Sequence, residues 1–225
     1  MDKIGFIFDL DGVIVDTAKY HFLAWKDLAT KLRIDFDEAF NEQLKGVSRV
    51  RSLEKILDRG GVKLSDEEFQ AYMAEKNEDY LEYIGKMSPD EILPGVIDIL
   101  SYLKSREIPF ALGSASKNAR TILEQVELSD WFAAVVDGTD VTLAKPDPEV
   151  FLIAAERLDI DPKDCIVVED SIAGIQAANT AKMVSIGIGD PGFLHEADVV
   201  FKDFTEIKKQ FIEDLITHES GLYKT

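Results

Sequence analysis

Ile4-Gly5-Phe6-Ile7-Phe8 is a short, bulky apolar run that stops abruptly at Asp9-Leu10-Asp11-Gly12. That is the pattern of a buried strand with acidic residues at its carboxyl end. Asp16-Thr17 then opens a helix reaching about Leu32, with His21, Trp25 and Leu28 along one stripe. From about Asp37 to Met87 the pattern stays helical and nearly free of strands, with Phe40, Leu44, Leu53, Ile56, Leu57, Phe69 and Tyr72 among alternating charges. Gly60-Gly61 breaks this stretch, and Ser65-Asp66-Glu67-Glu68 has the form of a capping box. Beyond Ser88-Pro89 strand and helix alternate: helices over 95–104, 117–126, 148–157 and 172–179, strands over 109–113, 133–136, 165–168, 183–187 and 198–201. Such alternation predicts a parallel sheet covered by helices on both faces. The expected organisation is an α/β core of residues 1–16 and 88–217, a doubly wound parallel sheet, with a helical cap, 17–87, inserted after the first strand. A tail, 218–225, follows, and its polar stretch Glu219–Thr225 is expected to fray.

Composition narrows the partners. With 225 residues, 46% hydrophobic and 30% charged, the chain can bury a sizeable core. No apolar run approaches the ~18–20 residues of a membrane helix, and Met1-Asp2-Lys3 does not begin a secretory signal. The single cysteine, Cys165, excludes an intramolecular disulfide framework and fits a reducing cytoplasm. Lys and Arg number 25 against 43 Asp and Glu, a net charge of −18. Nucleic acid and anionic membranes are therefore poor partners. An anionic small molecule needs a metal ion or a local knot of Lys and Arg.

Candidate chemistry collects where a doubly wound sheet binds ligands, outside the carboxyl ends of its strands. Those ends carry Asp9 and Asp11, then Ser114, then Glu169 and Asp170, and Lys145 stands in the loop before helix 148–157. Converging carboxylates repel one another unless a cation joins them. Oxygen ligands without His or Cys point to Mg²⁺. Taken singly, each residue has a plainer reading: Asp9 ends a strand, Asp11-Gly12 makes a turn, Asp170-Ser171 caps a helix. Their joint placement favours the metal site. Ser114, leading into Ala115-Ser116-Lys117-Asn118, suits a phosphate oxygen through backbone N–H groups, or is a simple N-cap. Lys45-Gly46-Val47-Ser48-Arg49 offers two cations around a glycine, a phosphate clamp or a solvated loop. His21 and Lys76 fit either the cleft or their own helices. Trp25 and Trp131 fit the core, and Cys165 an inert buried thiol.

Phe8-Asp9-Leu10-Asp11-Gly12-Val13 resembles the first motif of the haloacid dehalogenase superfamily. Ser114, Lys145-Pro146 and Glu169-Asp170-Ser171 stand in the order of its remaining three, and the likeness spans residues 4–201. Asp11, two residues after the presumed nucleophile, resembles the phosphotransferase branch. Asp16 to Phe22, Asn41 to Arg49 and Gly113 to Asn118 resemble its hexose phosphomutases; Lys19, Arg51 and the Pro-Asp-Pro after Lys145 depart from that pattern. The resemblance implies a Rossmann-like core and transfer of phosphoryl groups between β-D-glucose 1-phosphate and glucose 6-phosphate. Asp9 would be the nucleophile and Asp11 the general acid and base. Mg²⁺ would sit on Asp9, the Asp11 carbonyl, Glu169 and Asp170. Thr17, His21 and Lys76 would orient. Lys45, Gly46, Val47, Arg49, Ser114, Ala115, Ser116, Lys117, Asn118 and Lys145 would hold substrate and phosphate. The expected partners are small sugar phosphates, and the expected state is a cytoplasmic monomer. Two alternatives stand beside this: a Mg²⁺-dependent sugar phosphatase on the same core, and a receiver-like signalling domain phosphorylated on aspartate, whose usual size of ~120 residues lies below this chain's.

Overall fold

The first apolar run forms β1 (Gly5–Phe8), buried throughout. In the computed structural model, which describes residues 3–44 and 49–223, the chain divides into two compact units, Thr17–Met87 and Met1–Asp16 with Ser88–Thr225.

The smaller unit is helical: α1 (Ala18–Lys31), α2 (Glu38–Glu42), α3 (Arg49–Gly60) and α4 (Asp66–Ile84). Its core gathers Trp25, Leu28, Phe36, Phe40, Leu53, Ile56 and Leu57. The capping box is present: the Ser65 hydroxyl accepts the Glu68 N–H, and the Glu68 carboxylate accepts the Ser65 N–H at 2.8 Å. Gly60 closes α3.

The larger unit continues with α5 (Val96–Ser105), β2 (Phe110–Gly113), α6 (Ala119–Gln125), β3 (Ala134–Val136), α7 (Glu149–Leu158), β4 (Cys165–Glu169), α8 (Ile172–Thr180), β5 (Val184–Ile188), β6 (Val199–Phe201) and α9 (Lys209–Ile216). The six strands form one sheet of order β3-β2-β1-β4-β5-β6, parallel at every pair. In register, Phe8 stands between Leu112 and Val168. Strands buried on both faces need near-continuous apolar runs, which β1, β2, β4 and β5 supply. Side chains alternate across the sheet. Ile7, Ala111, Val136 and Val167 pack with Val150, Phe151 and Ala154 of α7 and with Ala177 and Ala178 of α8. Phe8 stacks at 6.3 Å on Phe204 and meets Phe110 edge-on at 6.0 Å.

Three features differ from the sequence reading. Helix α6 starts at Ala119, later than expected, because the Ser114 and Ser116 hydroxyls accept the N–H groups of Ser116 (3.0 Å) and Asn118 (3.2 Å) and hold 114–118 in turns. Helix α9, which the periodicity did not predict, is short, and tertiary contacts pin it. Tyr102 Oη donates to Glu213 at 2.5 Å, and Arg106 grips both Glu213 oxygens at 2.7 and 2.9 Å. The tail does not fray through Tyr223, whose hydroxyl donates to the Leu215 carbonyl at 2.6 Å while its ring lies 4.1 Å from His218. Among the described residues no helix is long and apolar enough to cross a membrane.

Candidate active site

Strand order reverses between β1 and β4, which opens the crevice where such sheets take their ligands. Asp9 follows β1 directly and donates its N–H to the Val168 carbonyl at 3.0 Å. Glu169 ends β4 and Asp170 follows it. Asp9 and Glu169 are 6% and 1% exposed, and one carboxylate oxygen from each of Asp9, Glu169 and Asp170 lies within 4.8 Å of the others.

Lys145 reaches into this cluster. Its ammonium donates to Asp9 Oδ1 at 2.5 Å, to Glu169 Oε1 at 2.7 Å and to the Gly113 carbonyl at 3.2 Å, with its Nζ 4.6 Å from the centre of the Phe151 ring. The Lys145-Pro146 peptide is cis. The other oxygen of Glu169 accepts the Ser171 N–H at 2.6 Å and the Ser171 hydroxyl at 2.9 Å. Ser171 Oγ in turn accepts the Gly174 N–H at 3.0 Å, so Ser171 caps α8 and braces the acid at once. Two glycines make room. A Cβ at Gly174 would stand 1.9 Å from Glu169 Oε1, and one at Gly12, where φ is +78°, would stand 2.0 Å from Asp170 Oδ2.

Burial pushes the Asp9 carboxyl up to about 7; Lys145 draws it down, while Glu169 and Asp11 add repulsion. Much of Asp170 is open to solvent, but its carboxyl end turns toward Gly12. There lost hydration, then Glu169, Asp9 and Asp11, raise it to about 8. Burial works against the Lys145 charge, yet Asp9 and Glu169 outweigh it and hold the ammonium above the usual lysine range. One lysine thus leaves the carboxylates short of positive charge. An all-oxygen set in that condition fits a hard divalent cation.

Ser114 is 1% exposed and donates its N–H to Val136 at 3.0 Å. Of the loop after it, Ala115 and Lys117 are exposed and Ser116 and Asn118 half-buried. The Ser116 and Asn118 N–H groups serve the local turns described above, so they are not simply presented to a ligand. Asp11 is half-buried beside Asp9 and forms a bridge with Val15.

The helical unit holds its own cationic cluster. Lys76, 1% exposed, places Nζ 3.0 Å from His21 Nδ1 and 4.8 and 4.7 Å from the rings of Trp25 and Tyr80. The His21 ring stacks on Tyr80 at 4.2 Å. Burial, then Lys76 and Arg49, lower His21 to about 3. Burial, then Arg49, lower Lys76 to about 7, with Asp79 opposing. Burial also lowers Arg49. Thr17 is buried at the start of α1. Lys45, Gly46 and Val47 lie outside the described residues. The sequence reading passed over Ser171, Gly174 and the Gly113 carbonyl as partners of the acidic cluster; the Ser-x-x-Gly step after Glu169-Asp170 was the available signal.

Comparison with known proteins agrees with this arrangement. The family model of haloacid dehalogenase-like hydrolases matches residues 5–182. The chain is 44% identical over 210 residues to a β-phosphoglucomutase of Bacillus subtilis, covering 92% of this chain and 93% of that one. It is 30% identical over 177 residues to a phosphorylated carbohydrates phosphatase of Thermotoga maritima, covering 78% and 80%. The crystal structure of a β-phosphoglucomutase from Clostridium difficile superposes with a TM-score of 0.86 at 42% identity, covering 96% of this chain and 98% of that one. With the four motifs converging at one sheet edge, the chain belongs to the haloacid dehalogenase-like hydrolase family.

Proposed function

We propose that this chain interconverts β-D-glucose 1-phosphate and glucose 6-phosphate through an aspartyl-phosphate enzyme and β-glucose 1,6-bisphosphate. The observation that carries the reading is 44% identity to a β-phosphoglucomutase along nearly the whole of both chains. An Asp9–Lys145–Glu169 cluster at the switch point supplies the chemistry.

Phosphorylated Asp9 passes its phosphoryl group to the free 6-hydroxyl of β-glucose 1-phosphate, whose proton Asp11 accepts, giving the 1,6-bisphosphate as the Asp9–phosphorus bond breaks. After the bisphosphate reorients, Asp9 attacks the phosphorus on carbon 1 in line, Asp11 protonates the departing sugar oxygen, and glucose 6-phosphate leaves with the aspartyl-phosphate restored. Lys145 and Ser114 offset charge on the transferring oxygens, since phosphoryl transfer is chiefly positioning and electrostatics. Ser116, Lys117 and Asn118 are the larger unit's candidates for holding the phosphate that is not reacting, and Arg49 is the helical unit's candidate for binding phosphate. His21 and Lys76, with Thr17, are the helical unit's candidates for orienting residues. Mg²⁺ would be held by Asp9, the Asp11 carbonyl, Glu169 and Asp170, and when bound it would neutralise charge on the nucleophile and the phosphate.

A single-turnover chase tests the reading. Enzyme labelled with ³²P by β-glucose 1,6-bisphosphate should carry the label on the Asp9 peptide. Added β-glucose 1-phosphate should remove it as labelled sugar phosphate. A label lost to water as inorganic phosphate at the same rate, with or without the sugar, would favour the phosphatase reading that the Thermotoga relative represents.

A further inference from the structure

Lys145 must reach two carboxylates from a loop, and a loop residue holds such a geometry only if something fixes the loop. The segment between β3 and α7 returns on itself around one side chain. The Glu149 carboxylate accepts the Leu143 N–H at 2.5 Å and the Thr142 N–H at 2.8 Å. It also accepts the Thr142 hydroxyl at 3.0 and 3.2 Å. The loop closes further through the Glu149 N–H on Asp147 Oδ1 at 3.0 Å and the Asp147 N–H on the Ala144 carbonyl at 3.0 Å. Lys145 sits inside the ring so formed, and Glu149 itself opens α7, which also carries Phe151 beneath the Lys145 ammonium. The backbone bond from Leu143, with those from Thr142, keeps the Glu149 carboxyl below the usual range, so it stays charged while it holds the loop.

The geometry points to Glu149 as a positioning residue that fixes the Lys145 loop and so aims the ammonium at Asp9 and Glu169. It touches none of the reacting groups; it acts through Lys145, and its effect on turnover rests on the phosphoryl-transfer role proposed for that lysine. The plainer role, an acid in the first turn of a helix, would stabilise α7 without moving Lys145, and the two separate experimentally.

The direct readout is the lysine ammonium region of a ¹H–¹⁵N spectrum. A buried ammonium held by two carboxylates and a carbonyl exchanges slowly enough to be seen, and its absence in Lys145→Ala assigns it. Glu149→Ala should shift this resonance or broaden it away, and Glu149→Asp should restore it. In turnover, a misplaced lysine should lower kcat about 10- to 100-fold, with KM for β-glucose 1-phosphate within about threefold. The same substitution made in Lys145→Ala should cost less than about twofold, because the group it aims is gone. If Glu149→Ala does not fold, Glu149→Gln, which keeps the shape and removes the charge, takes its place in both measurements. An unchanged Lys145 resonance overturns the assignment, as does an equal loss of kcat with and without Lys145. The resonance reports position whatever reaction is catalysed, so a failed mutase assay beside a displaced resonance would count against the function and not against Glu149.

Discussion

Removing the cation from the acidic cluster should give the folded protein an unusual dependence on pH. The Asp9 carboxyl rises from an ordinary 3.8 to about 7 in the metal-free fold, so between those values the native state holds a proton that the unfolded chain has released. Stability conferred by that proton is complete below about pH 4 and is lost as the pH climbs through about 7. At about 1.4 kcal/mol per pH unit, across about three units, the loss reaches about 4 kcal/mol. Two other groups have the opposite sign. His21, lowered to about 3, and Lys76, lowered to about 7, both make the fold gain stability with rising pH, over about 3 to 6.5 and about 7 to 10.5 respectively. Asp170, raised to about 8 in part by Asp9, has the same sign as Asp9, so comparing wild type with Asp9→Asn, which keeps His21 and Lys76, reads the proton that the Asp9–Asp170 pair holds. Urea unfolding of the two proteins in EDTA should show wild type losing about 1.4 kcal/mol per pH unit relative to the variant from about pH 5 to about pH 7, then levelling. Saturating Mg²⁺ should stabilise wild type increasingly with pH, because the cation takes the place of the proton, and should stabilise Asp9→Asn less. A difference that is flat or rising from about pH 5 to about pH 8 would refute the electrostatic reasoning.

Three further outcomes follow from the same geometry. Asp11→Asn should still form the aspartyl-phosphate from a reactive donor but lose about 10²- to 10⁴-fold in transfer to the sugar hydroxyl; single-turnover rates within a few-fold of wild type would reduce Asp11 to a turn residue. Arg49→Ala should weaken bisphosphate binding by about 1.5–3 kcal/mol while sparing transfer from acetyl phosphate, which has no second phosphate. Parallel loss of both rates would assign Arg49 to the helical unit's stability instead. Gly174→Ala sets a methyl 1.9 Å from Glu169 Oε1; by overpacking it should cost about 1–3 kcal/mol in urea unfolding and loosen Mg²⁺ in a calorimetric titration, and wild-type behaviour in both would mean that Glu169 moves freely.

Much of this was legible because buried parallel strands and amphipathic helices write different periods into a chain. The run to Phe8 and the run Cys165–Val168 read as strands from their apolar continuity, so Asp9 and Glu169 fell at strand ends without further information. The capping box at Ser65 was equally plain, being a purely local device. Tertiary contacts were not. Helix α9 is held by Tyr102 and Arg106 on Glu213, over a hundred residues apart in sequence, and nothing local announces it. The late start of α6 came from hydroxyls competing with the helix for backbone N–H groups. Lys145 was readable as a candidate from its place in the loop before helix 148–157 and then from a motif it resembles, whereas its insertion between two acids, and the Glu149 ring that holds its loop, needed the fold. His21 and Lys76 stayed ambiguous in the sequence for a similar reason: both lie on helices, and only the packing of α1 on α4 makes them a pair.

Where the phosphoryl group goes separates a mutase from a phosphatase. Phosphorus NMR of β-glucose 1-phosphate with enzyme, Mg²⁺ and a trace of β-glucose 1,6-bisphosphate follows every phosphorus atom in one tube. Glucose 6-phosphate should grow as β-glucose 1-phosphate declines, with the bisphosphate constant and with no turnover by Asp9→Asn. Inorganic phosphate accumulating in its place, at a rate matching the loss of substrate, would contradict the mutase assignment.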